Sequence, residues 1–157
     1  MLNLLRFSLD NRSYALCVDS VEQVVQAVQI TPLPASPPII LGAVDFHGSI
    51  VPVLNVRRRF GLPSKAIDVT DVFIIARAAK RRVALVVDAV QFVVSVDEHQ
   101  VESASHVAPG TTLVAGIVRM PDGMLLIHDL DAFLSLEEER ELDTSLRKFD
   151  YGDASRN

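Results

Sequence analysis

Two segments of this chain lie over one another residue for residue, without a gap. Tyr14-Ala15-Leu16-Cys17-Val18-Asp19-Ser20-Val21 aligns with Val83-Ala84-Leu85-Val86-Val87-Asp88-Ala89-Val90. The match continues at Val24-Val25 over Val93-Val94, at Gly42 over Gly116, and at Asn55-Val56 over Asp129-Leu130. Such a duplication constrains the fold strongly, because any unit that forms once must form twice and share buried surface with its copy. The copies cover residues 4–62 and 71–134, and each reads as about five short strands and a capped helical turn. Residues 5–10 alternate apolar and polar, the period of a half-buried strand. Residues 14–18, 24–30, 72–78, 83–87 and 92–96 continue the strand pattern, with Asp10-Asn11-Arg12-Ser13 and Lys80-Arg81-Arg82 as turns. Valine is abundant throughout, and its branched Cβ packs well on a pleated surface. Short antiparallel strands of this number suit a small barrel that hides its edges. A barrel that small has a thin core. Two packed together, with strands exchanged between them, bury far more apolar surface, at about 25 cal/mol per Å².

Within and between the copies the composition changes in places. Residues 31–38 hold four prolines, which makes a stiff surface connector. Residues 64–70 read as a linker and residues 97–112 as a long polar loop. Asp19 and Asp88 occupy equivalent places and are each expected to cap a turn. Ser135-Leu136-Glu137-Glu138 is a capping box. The helix it starts, over residues 136–149, carries Leu142, Leu146 and Phe149 as a narrow apolar stripe. Residues 150–157 are expected to be a disordered tail. The whole of 1–150 reads as one domain of two intertwined β-subdomains.

The stretch from residue 42 to residue 63 holds most of the special residues. Gly48 suits the positive φ of a tight turn between two apolar runs, so the segment is a hairpin. Pro52 lies in its second strand. Asn55 is a good N-cap for the short helical turn that follows, which stops at Gly61 with Pro63 beyond it. Asp129 is the corresponding cap in the second copy.

The same stretch resembles the signature of the CheW-like family, the coupling proteins of bacterial chemotaxis. Gly42, Gly48, Pro52, Val53, Arg57, Phe60 and Gly61 match. His47 stands where the family usually has arginine, and Asn55 where it usually has aspartate. The resemblance extends from about residue 4 to residue 134. It implies a mainly β fold of two SH3-like five-stranded barrels side by side, with short helical turns and a C-terminal helix. It also implies a non-catalytic adaptor that joins the cytoplasmic tips of chemoreceptors to the regulatory domain of a CheA-type histidine kinase. The receptor-facing wall is expected to include Val25, Ala27, Val44 and His47, with Val114 and Gly116 from the second copy. Arg57 matches the family's arginine and is open to two readings, partner contact or structural ion pair. Arginine forks two hydrogen bonds and keeps its charge, so histidine at position 47 would make coupling weaker or pH-dependent.

Other functions find little support. The net charge of −5 opposes binding to nucleic acid or an anionic membrane, despite Arg57-Arg58-Arg59 and Lys80-Arg81-Arg82. No apolar run is long enough to span a bilayer, so no direct membrane insertion is expected. The amino-terminal residues lack a signal-peptide pattern, and a cytoplasmic location is expected. Cys17 is the single cysteine and reads as a small buried hydrophobe, so no disulfide can form. No phosphate loop, dinucleotide fingerprint or nucleophile elbow is present, and no cofactor is expected. Two alternatives stay open: a scaffold of the same fold for another kinase pathway, and, remotely, a small β-barrel metal protein or enzyme. The second would use His99 and His106 with Glu98 and Glu102.

Overall fold

The structure, a computed structural model, describes residues 1–103 and 114–154. The strands are β1 (Leu2–Leu9), β2 (Arg12–Cys17), β3 (Val21–Gln26), β4 (Ile40–Phe46), β5 (Ser49–Leu54) and β6 (Val72–Arg77). They continue with β7 (Arg82–Val87), β8 (Ala89–Val96), β9 (Val101–Ser103), β10 (Val114–Met120) and β11 (Gly123–His128). Two helices, α1 (Val56–Arg59) and α2 (Leu136–Ala154), follow β5 and β11, α2 after a 3-10 turn at Leu130–Ala132. The mainly β expectation holds.

The repeats exchange strands. One six-stranded sheet has the order β8-β1-β2-β11-β10-β9, and one five-stranded sheet the order β3-β6-β7-β5-β4. The first sheet thus receives only the β1–β2 hairpin from the first copy. The second receives only β6–β7 from the second copy. Each seam between copies is a short parallel pairing. Tyr14 and Ala15 face Leu126 and Ile127 in one, and Ala84 and Leu85 face Val53 and Leu54 in the other. The bulges repeat as well. β4 slips between Ile40 and Gly42, and β10 slips between Val114 and Gly116 at the matching place. An extra residue bends a strand and raises its twist, which curls each sheet around its own interior.

Three cores result. The first sheet wraps Leu4, Ala15, Val96, Val118, Leu125 and Ile127. The second wraps Val44, Val51, Val53, Phe73, Ile75 and Ala84. A larger cluster lies between the sheets and includes Phe7, Leu16, Leu54, Leu85, Phe133 and Leu142. Alternation along β1 explains the division, since Leu4 faces the inner core while Leu5, Phe7 and Leu9 face the shared one. The ladders leave β8 and β9, and β3 and β4, as sheet ends among the described residues.

Gly42 has φ +150° because Thr31 crosses close above it. A Cβ there would lie 2.3 Å from the Thr31 carbonyl oxygen. Thr31 and Ala43 exchange hydrogen bonds of 2.8 and 2.9 Å, the counterpart of β9 on β10. Pro52 pairs with Ala43, whose N–H and C=O both go to Thr31, so the β4–β5 ladder has no need of the N–H that Pro52 lacks. Leu33 from the proline-rich segment is buried in the shared core.

Four expectations are corrected. The third strand begins at Val21 and ends at Gln26, because the turn before it is a single 3-10 turn at Val18–Ser20. Asp19 lies inside that turn and does not cap it. The polar stretch after residue 97 contains a 3-10 turn at Glu98–Gln100 and strand β9. Helix α2 runs on through Ala154, since a single interior Gly152 costs a helix only about 1 kcal/mol. The last three residues of the expected disordered tail, 155–157, lie outside the described residues.

His128 occupies the place that Leu54 holds in the first copy. It is 4% exposed, and neither ring nitrogen has a partner. Phe60 and Phe133 meet its ring edge-on at 5.0 and 5.4 Å. Burial lowers its pKa from 6.5 to about 4. Between those values the unfolded chain binds a proton that the folded chain does not, so stability falls as pH drops through this window. The full effect is about 3 kcal/mol at most. We expect His128→Leu to raise the denaturation midpoint at neutral pH and to flatten its fall from pH 6.5 to pH 4. Urea titrations across that pH range check both outcomes.

Candidate functional site

Turn α1 ties the seam between the copies. Asn55 caps it by accepting the Arg58 N–H at 3.1 Å, and Gly61, at φ +71°, ends it. Arg57 projects into the cleft between the repeats with only 11% of its side chain exposed. It donates to both carboxylate oxygens of Asp88, at 2.7 and 2.8 Å, and to Asp10 at 2.7 Å. Asp88 also accepts the Asp10 backbone N–H at 2.9 Å. Burial pushes the Asp88 carboxyl up, but the Asp10 N–H and the Arg57 guanidinium outweigh it and hold the group below its ordinary range. Lys65 extends the network, lying 3.0 Å from the buried carboxylate of Asp71 and 3.6 Å from Asp88. The cleft encloses about 390 Å³ and is lined by Asn55, Arg57, Lys65, Asp71, Val86 and Asp88 among others. Its cations and anions face one another, so it works as an internal clamp. The structural ion-pair reading of Arg57 is the one its contacts support. Asp88, expected to cap its own turn, is the anion of this clamp. Asp129 is a cap, accepting the Asp131 N–H at 3.2 Å.

The β4–β5 hairpin presents His47. Its φ of +52° and the +83° of Gly48 make the tight turn, and the Gly48 N–H donates to Asp45 at 2.8 Å. His47 is exposed, with its ring edge against Phe46 at 4.3 Å. The Arg82 guanidinium lies 6.0 Å from the Phe46 ring and pairs with Glu22 at 2.8 Å.

The remaining residues of the expected receptor-facing wall are buried or half-buried. Val44 is buried in the inner core of the second sheet, and Val25 and Ala27 pack against that core half-buried. Val114 and Gly116 belong to the other sheet. Gly116 is buried, and a Cβ on it would meet Val101 at 2.6 Å. Exposed apolar side chains include Ile50 (38%) on β5, in the same hairpin as His47, Val24 (39%) on β3, and Phe92 (54%) and Val93 (55%) on β8. Val24 and Val93 occupy matching places in the two copies. Val24 and Val25 point to opposite faces of β3, and the register shift between Val21 and Gln23 sets which of them turns inward. Arg6 stacks over Phe92 at 5.6 Å and pairs with Asp122, which lowers the Asp122 pKa.

Chemistry is poorly served by the candidates. Burial, helped by Asp19, raises the pKa of the Cys17 thiol, which keeps it protonated and a weak nucleophile. His99 is exposed in a 3-10 turn, and His106 lies outside the described residues.

The CheW-like domain family model matches residues 3–138. A chemotaxis protein CheW of Bacillus subtilis is 31% identical over 137 residues, 85% of this chain and 87% of that one. A chemotaxis protein CheW of Klebsiella aerogenes is 29% identical over 134 residues, 84% of this chain and 81% of that one. Among solved structures, the scaffolding protein TtCheW from Thermoanaerobacter tengcongensis superposes with a TM-score of 0.78 at 30% identity. That superposition covers 87% of this chain and 90% of that one.

Replacing Arg57 leaves two carboxylates facing each other across the seam. We expect Arg57→Ala to cost about 2–4 kcal/mol of stability at neutral pH. The contribution of Asp88 is present above its ordinary pKa of 3.8 and is lost as pH falls through the lowered native value. The gap between the variant and the parent should therefore narrow in acid. Thermal unfolding at pH 7 and pH 3 measures it.

Proposed function

The chain belongs to the CheW-like domain family, and on that premise we propose that it is the scaffold that couples chemoreceptor tips to a CheA-type histidine kinase. It is a chemotaxis adaptor by its family and fold. No helix among the described residues is long and apolar enough to cross a membrane. In this reading the protein works in the cytoplasm, where receptor tips and kinase meet.

The observation that carries the partner assignment is the pair of edge strands β3 and β8, each with an exposed apolar side chain among its residues. They occupy equivalent places in the two copies yet lie on different sheets. A body with two such edges can hold one partner on each while its three packed cores keep their spacing fixed. Receptor movement would then reach the kinase as a change in contact free energy, with the adaptor biasing one kinase state over the other. Phe92 and Val93 supply the larger apolar area, and Val24 with Val28 the smaller. His47 sits at a hairpin tip as an adjustable polar contact. Where the relatives' arginine would fork to a carboxylate, imidazole makes a single hydrogen bond.

Two substitutions test this reading. Phe92→Glu, at an exposed position, should leave the melting temperature within a degree or two and weaken capture of a receptor-tip fragment or a kinase regulatory domain by about tenfold or more. His47→Arg should tighten binding to one of the same two probes. Unchanged affinity for both probes in both variants would remove the β8 edge and the hairpin tip from the interface. Titration of each purified partner against each variant gives the values.

A further inference from the structure

Helix α2 is fastened to the body by an unusual mixture of contacts. Its capping box forms, with the Glu138 N–H donating to the Ser135 hydroxyl at 3.1 Å and the Ser135 N–H donating to Glu138 at 2.9 Å. Along the face turned to the body, Leu142 is fully buried in the shared core and Leu146 packs against it half-buried. Between them Ser145 is 0% exposed, and its hydroxyl has no hydrogen-bond partner. A leucine or alanine at that place would close the contact, whereas an unpaired hydroxyl weakens it. The rest of the attachment is charge. Arg59 donates to both oxygens of Glu138 at 2.5 Å and stacks 5.6 Å above Phe133. Arg81 pairs with Glu139 at 2.8 Å and with Asp143. Side chains of both pairs are partly exposed, so dissolved salt reaches them.

The two arginines come from different parts of the chain. Arg59 stands on α1, beside the seam clamp, and Arg81 on the turn before β7. Together they flank the seat on which α2 rests, and the cavity left beside it is lined by Leu54, Val83, Leu130, Phe133 and Leu134, with Lys80, Asp131 and Glu139 at its polar side. Helix α2 brings to this seat an acidic first turn of Glu137, Glu138 and Glu139. The seat therefore selects for a helix with leucines on one side and carboxylates flanking them.

We propose that α2 is a charge-latched strap that leaves and retakes its seat while the two sheets stay folded, and that the uncovered seat takes an acidic amphipathic helix of a partner in its place. The proposal does not depend on the receptor and kinase assignment, since the seat is separate from the β3 and β8 edges. Release of α2 also frees Arg59, and with it one restraint on the turn that carries Arg57.

Hydrogen exchange on the full chain, read by mass spectrometry, tests the strap. Raising salt from about 0.02 to about 0.5 M should speed exchange of the α2 amides by about tenfold or more, with the amides of β1 and β6 unchanged. Arg81→Gln should give the fast rate already at low salt, and Ser145→Ala should slow it. A synthetic peptide of residues 135–149, added in excess, should speed exchange in α2 of the parent chain by occupying the seat. Exchange in α2 that ignores salt, or that moves only together with β1 and β6, makes α2 a fixed part of the fold and overturns the strap. A peptide without effect overturns the exchangeable seat. Should Arg81→Gln fail to fold, the salt series and Ser145→Ala decide the question alone.

Discussion

Neither sheet can be completed from one copy of the repeat, and the rest of the molecule follows from that. The joints are small: Ala15 beside Ile127 in one sheet and Ala84 beside Val53 in the other, each within a parallel pairing of only two residues. Hydrogen bonding that brief cannot hold a domain together. The shared core between the sheets does so, with Phe7 and Leu16 from one copy against Leu85 and Phe133 from the other. Half of the chain alone would have strands without neighbours and a core open on one side. The duplication is therefore a single cooperative unit, and its two inner cores are too thin to be independent domains.

Charge refines what apolar burial starts. At one seam Arg57 reaches across to Asp88 and Asp10. At the matching place in the second copy stands Asp131, which accepts the Ala79 backbone N–H directly at 2.7 Å. The same structural task, fastening the capped turn to the first hairpin of its own copy on the opposite sheet, is thus done by a three-member ion cluster on one side and by one hydrogen bond on the other. The asymmetry places a cleft with two cations and two anions at one seam. It also lets α1, through Arg59, reach α2, so that a single helical turn touches both sheets and the terminal helix.

Much of this was legible in the residues. The repeat, the hairpins, the Asn55 and Asp129 caps and the Ser135 capping box are local patterns, and local patterns survive folding. The exchange of strands was legible only as a possibility, because pairing between distant segments leaves no mark in either segment alone. Residue parity was the weakest point. One extra residue in β3 moves Val24 outward and Val25 inward, and nothing in the alternation of that strand announces the bulge. Val44 and Gly116 read as surface because strand placement says which residues share a face but not which face is covered. Asp88 reads as a turn cap until Arg57 arrives from a segment remote in sequence. His128 in a leucine's place is visible from the repeat alignment, and its orphaned nitrogens mark a position where the second copy departs from an apolar core.

A body built by duplication tends to present the same surface twice, yet an adaptor between unlike partners needs two different ones. The edges supply the difference. β3 carries Glu22, paired with Arg82, so its edge is partly blunted by charge. β8 has no charged residue along its eight positions and exposes Val93 and, beneath the Arg6 guanidinium, Phe92. An uncharged edge strand of that kind invites uncontrolled strand pairing unless something covers it. In the proposed reading, covering it in a specific assembly would turn a solubility cost into binding energy at one edge and would leave the other, charged edge to select a different partner. The near-symmetry of the fold fixes where the two edges stand, and the loss of symmetry in a few side chains decides what each edge can hold.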